Sequence, residues 1–154
     1  MKFSGELAVA APLSEVFDRI RDARIFASCI NGVSNLEEIG PDKYSALFET
    51  KVAFMKFKFQ VEVEMTKAER PNLIEGKIEG KPLGIVGRLN ATSSTTLAKR
   101  GNETVISYDV EANMTGKLGS LGRPVLNAKA KEMEKQFMAN LQASFATDGK
   151  GGAA

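Results

Sequence analysis

The chain has no histidine, no tryptophan and one cysteine in 154 residues. Each absence removes a class of chemistry. Without imidazole there is no ready general base, no activator for a thiol, and the commonest metal ligand is missing. Cys29 alone can form neither an internal disulfide nor a paired-cysteine metal site, and it reads as a small buried apolar residue at a helix end. No apolar run is long enough to cross a bilayer as a helix. The opening Met1-Lys2-Phe3-Ser4-Gly5-Glu6 lacks the apolar stretch of a signal peptide. We therefore expect a cytoplasmic protein with no metal and no cofactor. Charge of either sign is also close to balance, 21 Lys and Arg against 19 Asp and Glu, which argues against dedicated nucleic-acid binding.

What the chain does have is alternation. Tyr44, Ala46, Phe48, Thr50 and Val52 fall on one face of a run whose other face carries Glu49 and Lys51. Phe57, Phe59, Val61, Val63 and Met65 alternate with Lys58, Gln60, Glu62 and Glu64. Period-two patterning of this kind marks strands that are wet on one side. Further along, the inward positions become Ile74, Gly76, Ile78 and Gly80, then Ile85, Gly87, Leu89, Ala91, Ser93, Thr95 and Leu97, then Ile106, Tyr108, Val110, Ala112 and Met114. The inner wall thins from aromatic rings to Gly, Ala, Ser and Thr. Glycine within a strand marks a bend or a close approach, and a curved sheet with a bare inner face leaves room beneath its cover.

The order of elements follows from periodicity and punctuation. A first strand spans about 3–10. Pro12 opens a short helix through Val16, Phe17 and Ile20, since a proline costs no hydrogen bond in a first helical turn. Asp22 caps a second short helix carrying Ile25, Phe26, Cys29 and Ile30, ended by Asn31-Gly32. Strands are expected at 34–40, 43–54, 56–69, 72–81, 85–99 and 103–114, with turns at Gly40-Pro41-Asp42, Arg70-Pro71-Asn72 and Arg100-Gly101-Asn102. Leu118, Gly122, Leu126, Ala130, Met133, Phe137, Leu141 and Phe145 then recur at helical spacing. Pro124 should start or kink this helix, leaving 116–123 as a separate turn or short helix. The glycines at 116, 119 and 122 there suggest a hinge or lid. The fold class is α+β: a strongly curved antiparallel sheet of about seven strands around a long C-terminal helix, with two short helices after the first strand. One domain covers 1–146, and 147–154 has the composition of a disordered tail.

Catalysis is disfavoured by parity. The strand carboxylates Glu49, Glu62, Glu64, Glu75, Glu79, Asp109 and Glu111 all fall on the outward set, and acid–base work needs a titratable group within reach of the reacting atom. No catalytic residue is assigned. On and before the last helix, Lys117, Arg123, Lys129, Lys131 and Lys135 outnumber Glu132 and Glu134. That side is either an ordinary solvated face or a contact for an acidic partner or anionic lipid.

Several strings together resemble the CoxG family of carbon monoxide dehydrogenase subunits, a branch of the START-like helix-grip superfamily. They are Phe3-Ser4-Gly5-Glu6, the helix with Pro12, Val16 and Phe17, Cys29-Ile30-Asn31-Gly32, Leu36-Glu37-Glu38-Ile39-Gly40, Gly116-Lys117-Leu118-Gly119-Ser120-Leu121-Gly122, and Phe137-Met138-Ala139-Asn140-Leu141. Asn31 departs from the family's expected proline, and Lys81-Pro82-Leu83-Gly84-Ile85-Val86 is bulkier than its usual glycine- and serine-rich stretch. The resemblance implies an accessory protein of a molybdenum-containing dehydrogenase that holds a hydrophobic molecule, lipid or quinone-like, in a central cavity. Peripheral contact with the inner face of the cell membrane goes with that role. A protein or membrane adaptor with no functional ligand is the alternative, and a polyketide cyclase-like enzyme the third. For a ligand site, the apolar wall would be Phe48, Phe57, Phe59, Val61, Leu89, Leu126, Met133, Phe137 and Leu141. Gly76, Gly87 and Ala91 would supply space, and Tyr44, Thr50, Ser93, Thr95 and Tyr108 the polar contacts.

Overall fold

The alternating segments become one antiparallel sheet in the computed structural model, which describes residues 1–153 and their side chains through Phe145. The tail expected over 147–154 lies outside the fully described residues. Strands β1 (Lys2–Val9), β2 (Val33–Gly40), β3 (Lys43–Val52), β4 (Met55–Glu69), β5 (Leu73–Pro82), β6 (Leu89–Arg100) and β7 (Glu103–Met114) are ordered β1-β7-β6-β5-β4-β3-β2. Helices α1 (Leu13–Arg21) and α2 (Ala23–Ser28) link β1 to β2, while α3 (Gly116–Gly119) and α4 (Arg123–Ala153) follow β7. Register shifts in β2 and near Met65 in β4 let the sheet bend.

The expected boundaries hold within about two residues, with one informative exception. The run expected to be strand from 85 begins at Leu89. Gly87 has φ +149, and a Cβ there would stand 2.6 Å from the Thr115 carbonyl oxygen. The 83–88 backbone instead crosses the chain leading into α3, where Thr115 N donates to Arg88 O at 2.9 Å and Lys117 N to Val86 O at 3.3 Å. Glycine is needed at 87 for this crossing, so it does not serve as a strand residue on the inner wall. Pro124 sits in the first turn of α4, starting that helix without kinking it.

Two apolar clusters hold α4 to the sheet. At one end Val9, Val16, Phe17, Ile20, Leu97, Ile106 and Leu141 are buried together, with Phe137 and Phe145 packed against them. At the other end Val52, Phe57, Phe59, Leu118 and Leu126 form a second cluster. A fully buried Phe or Leu contributes about 1.5–3 kcal/mol, so these ends dominate the attachment.

Polar locks reinforce the first cluster. Asn140 Nδ2 donates to Cys29 O at 2.9 Å and to Asn31 Oδ1 at 3.0 Å. Arg19 donates to Ser144 Oγ at 3.3 Å and places its guanidinium 4.3 Å from the Phe145 ring centre. Asp22 caps α2 as expected, its carboxylate accepting from the Arg24 and Ile25 amides at 2.9 and 3.2 Å.

Cys29 is buried in the first cluster, and desolvation pushes its thiol pKa up. It should resist a thiol reagent in the native state and label fully once denatured; rapid native labelling would show that the cluster opens. Leu141→Ala should lower the unfolding free energy by about 2–5 kcal/mol in urea titrations, since it empties the centre of the same cluster.

Candidate ligand-binding site

Strand pairing gathers the small inward residues into a belt between the two clusters. Gly5 pairs with Tyr108, which pairs in turn with Thr95. Ser93 stands between Val110 and Gly76, and Val63 between Ile78 and Tyr44. None of these residues joins either cluster. Above the belt, the apolar stripe of α4 contributes Ala130 and Met133.

Packing stops partway along β4. Phe57 and Phe59 are 2% and 4% exposed, whereas Val63, on the same inward face, is 40% exposed. Ile78 and Tyr44 beside it are also incompletely covered. Apolar surface left accessible inside a fold costs roughly 25 cal/mol per Å² relative to burial. A molecule that covered Val63 and its neighbours would recover that energy.

One polar pair spans the gap. Tyr108 Oη donates to Glu134 Oε2 at 2.6 Å, joining β7 to α4. The Glu134 side chain is only 18% exposed, with Lys131 Nζ 3.9 Å away on its solvent side. Tyr108 reaches the helix because its ring lies over Gly5, where a Cβ would stand 2.6 Å from the phenol oxygen and 2.7 Å from Cζ. Burial, together with the hydrogen bond and charge of Glu134, pushes the phenol pKa far above its usual value. Tyr108 therefore keeps its proton at neutral pH and acts as a hydrogen-bond donor.

The sequence candidates divide by position. Tyr44, Gly76, Ala91, Ser93 and Tyr108 lie on the inner face around the belt, with Met133 on the helix side. Phe48, Phe57, Phe59, Val61, Leu89 and Leu126 belong to the cluster at the α3 end. There the rings stack, with centroids 6.0 Å apart for Phe48 and Phe59 and 5.9 Å for Phe57 and Phe59. Phe137 and Leu141 belong to the opposite cluster, and Phe137 lies 5.2 Å from the Phe26 ring. These eight residues are packed into the apolar clusters at the two ends of the sheet–helix interface. Thr50 faces inward opposite Phe57, and Gly87 stands outside the wall at the loop crossing.

Two residues of the belt escape a reading of periodicity. Glu134 looks like part of a charged helix face, yet it is four residues after Ala130 and three before Phe137, which places it at the margin of the apolar stripe. Gly5 acquires its meaning only through its pairing with Tyr108. The basic residues of α4 are less available than their number suggests, because Lys129 pairs with Glu132 at 3.0 Å and Lys131 with Glu134. Among the described residues no cluster of side chains could hold a metal ion, and no helix is long and apolar enough to cross a membrane.

Solved structures share this architecture. A conserved protein from Geobacillus kaustophilus is 26% identical, with a TM-score of 0.88 and 96% of each chain covered. Ara h 8.0201 superposes with a TM-score of 0.65 at 13% identity, covering 96% of this chain and 98% of its own. A protein from Chromobacterium violaceum does so at 0.66 and 15% identity, covering 92% and 94%. The latter two likenesses are of fold alone, and they fit the helix-grip arrangement of a curled sheet around a C-terminal helix. No curated protein matches the chain. Residues 5–146 match the family of carbon monoxide dehydrogenase subunits described as CoxG, and the chain belongs to that family.

Proposed function

We propose that the protein holds a neutral hydrophobic small molecule, quinone-like or a lipid, in the cleft between the sheet and α4, and does no chemistry on it. The observation that carries this reading is Val63, an inward residue of β4 left 40% exposed between two packed clusters. The Tyr108–Glu134 pair adds polarity to the ligand class. Tyr108 can donate to a carbonyl, and Glu134 can accept from a hydroxyl, so a quinone and its quinol both find a partner. A fatty-acid carboxylate or a phosphate would meet the Glu134 charge in poorly hydrated surroundings, where like charges repel strongly. The family name supports a role as an accessory of carbon monoxide dehydrogenase or a related molybdenum-containing enzyme, to which the molecule would be delivered.

Native mass spectrometry of the purified protein, followed by organic extraction, tests the reading. A stoichiometric quinone or neutral lipid is expected. An apo mass unshifted after incubation with quinones and lipids would overturn it. Tyr108→Phe should weaken quinone binding by about two- to tenfold, the worth of one hydrogen bond, in a fluorescence or calorimetric titration. Glu134→Gln should leave quinone affinity within that range and improve binding of a long-chain fatty acid; unchanged discrimination would place the ligand elsewhere.

A further inference from the structure

The polar groups of the belt differ in what they offer a ligand. A hydroxyl both donates and accepts, whereas an ionised carboxylate only accepts. Thr95 pairs directly with Tyr108, and Ser93 stands two residues away on the same face. Neither hydroxyl makes a hydrogen bond among the described residues, and the Tyr44 phenol on β3 makes none either. Each can turn to serve a carbonyl or a hydroxyl alike, so these three groups give the cleft no preference between the two.

Glu134 breaks that symmetry. Its Oε2 accepts from Tyr108 Oη at 2.6 Å and lies 3.9 Å from Nζ of Lys131, a side chain 74% exposed on the solvent side. Its Oε1 accepts nothing among the described residues. No buried side-chain oxygen or nitrogen among them lacks a partner, so Oε1 is not sealed off and can be reached by another molecule.

The donor beside it is already committed. Tyr108 has one O–H, and it serves Oε2 in a bond to a charged group, which is of the stronger kind. A ligand carbonyl can take that proton only by breaking the pair and leaving a largely buried carboxylate with Lys131 alone. A carbonyl oxygen facing Oε1 sets lone pairs against lone pairs. A ligand hydroxyl donates to Oε1, leaves the Tyr108–Glu134 bond intact and gains an ionised acceptor, a better partner than a neutral one. Both forms can bind, but at unequal cost.

Resting on the reading that the cleft holds a quinone-like or lipid molecule, we infer that Glu134 selects the hydroxyl form of that molecule over its carbonyl form: quinol over quinone, alcohol over ketone. Glu134 is the specificity-determining residue, and Tyr108 holds its carboxylate toward the sheet. The selection also shifts a redox equilibrium. A molecule bound about tenfold more tightly when reduced has its two-electron potential raised by about 30 mV, which makes the bound quinone an easier electron acceptor than the free one.

Anaerobic calorimetric titration of the full chain with decylubiquinone, and separately with its reduced quinol, tests the inference. The quinol is expected to bind about three- to tenfold more tightly. Glu134→Gln should bring the ratio of the two affinities to about one, because a side-chain amide donates as well as accepts. Tyr108→Phe, which leaves the acceptor in place, should keep the quinol preference. The ratio is insensitive to a general loss of folding in a variant, which weakens both forms together. Equal affinities in the wild type, or tighter binding of the quinone, would overturn the inference and leave the cleft reading standing. A quinol preference undiminished in Glu134→Gln would overturn the assignment to Glu134. Binding of neither form would remove the cleft reading for quinones and this inference with it.

Discussion

The structure depends on how α4 is held: by apolar packing at both ends, with a belt of small residues between. At one end Leu141 and Phe137 join Phe17 and Ile20; at the other Leu126 joins Phe57 and Phe59. Large side chains at the ends set the spacing between helix and sheet. Between the ends the sheet contributes the smaller residues Gly5, Gly76, Ser93, Thr95 and Val63, with the Tyr108 ring over Gly5 and Val63 left 40% exposed. On the proposed reading, the room for a ligand follows from side-chain size along the paired strands.

A long bare span would leave the helix centre without orientation. The Tyr108–Glu134 hydrogen bond fixes it at one side and adds a phenol–carboxylate pair to the small residues of the belt. A hydrogen bond to a charged group is among the stronger ones, and this one is available only because Gly5 leaves room for the ring. On the proposed reading, the same pair that orients the helix sets the site's preference between neutral and anionic molecules.

Much of this was legible in the residues themselves. Strict alternation from Tyr44 to Met65 and from Leu89 to Met114 assigned inward and outward faces that the strand register bears out. Pro12, Asp22 and Pro124 marked helix starts through local chemistry alone. The misplaced start of β6 had a different origin. Alternation of Ile85, Gly87 and Leu89 imitates a strand, but Gly84 and Gly87 both take positive φ and the loop backbone pairs with the chain before α3.

The site was less legible because packing is non-local. Nothing in their own segments shows that Phe57 and Phe137 meet other large groups, that Val63 does not, or that Tyr108 turns toward a carboxylate on α4. The exposed loop tips were hidden for a related reason, since an apolar residue near a turn looks the same whether it folds inward or projects. Burial separates Leu118 and Leu121, tucked under the loops, from Phe54 and Val86, which stand clear of them.

The claim that the belt is under-packed can be measured directly by enlarging its central residue. Urea unfolding of Val63→Phe should show a free energy within about 0.5 kcal/mol of the wild type, because the added ring enters existing space. A loss of about 1–3 kcal/mol, the usual cost of overpacking a filled core, would contradict the account.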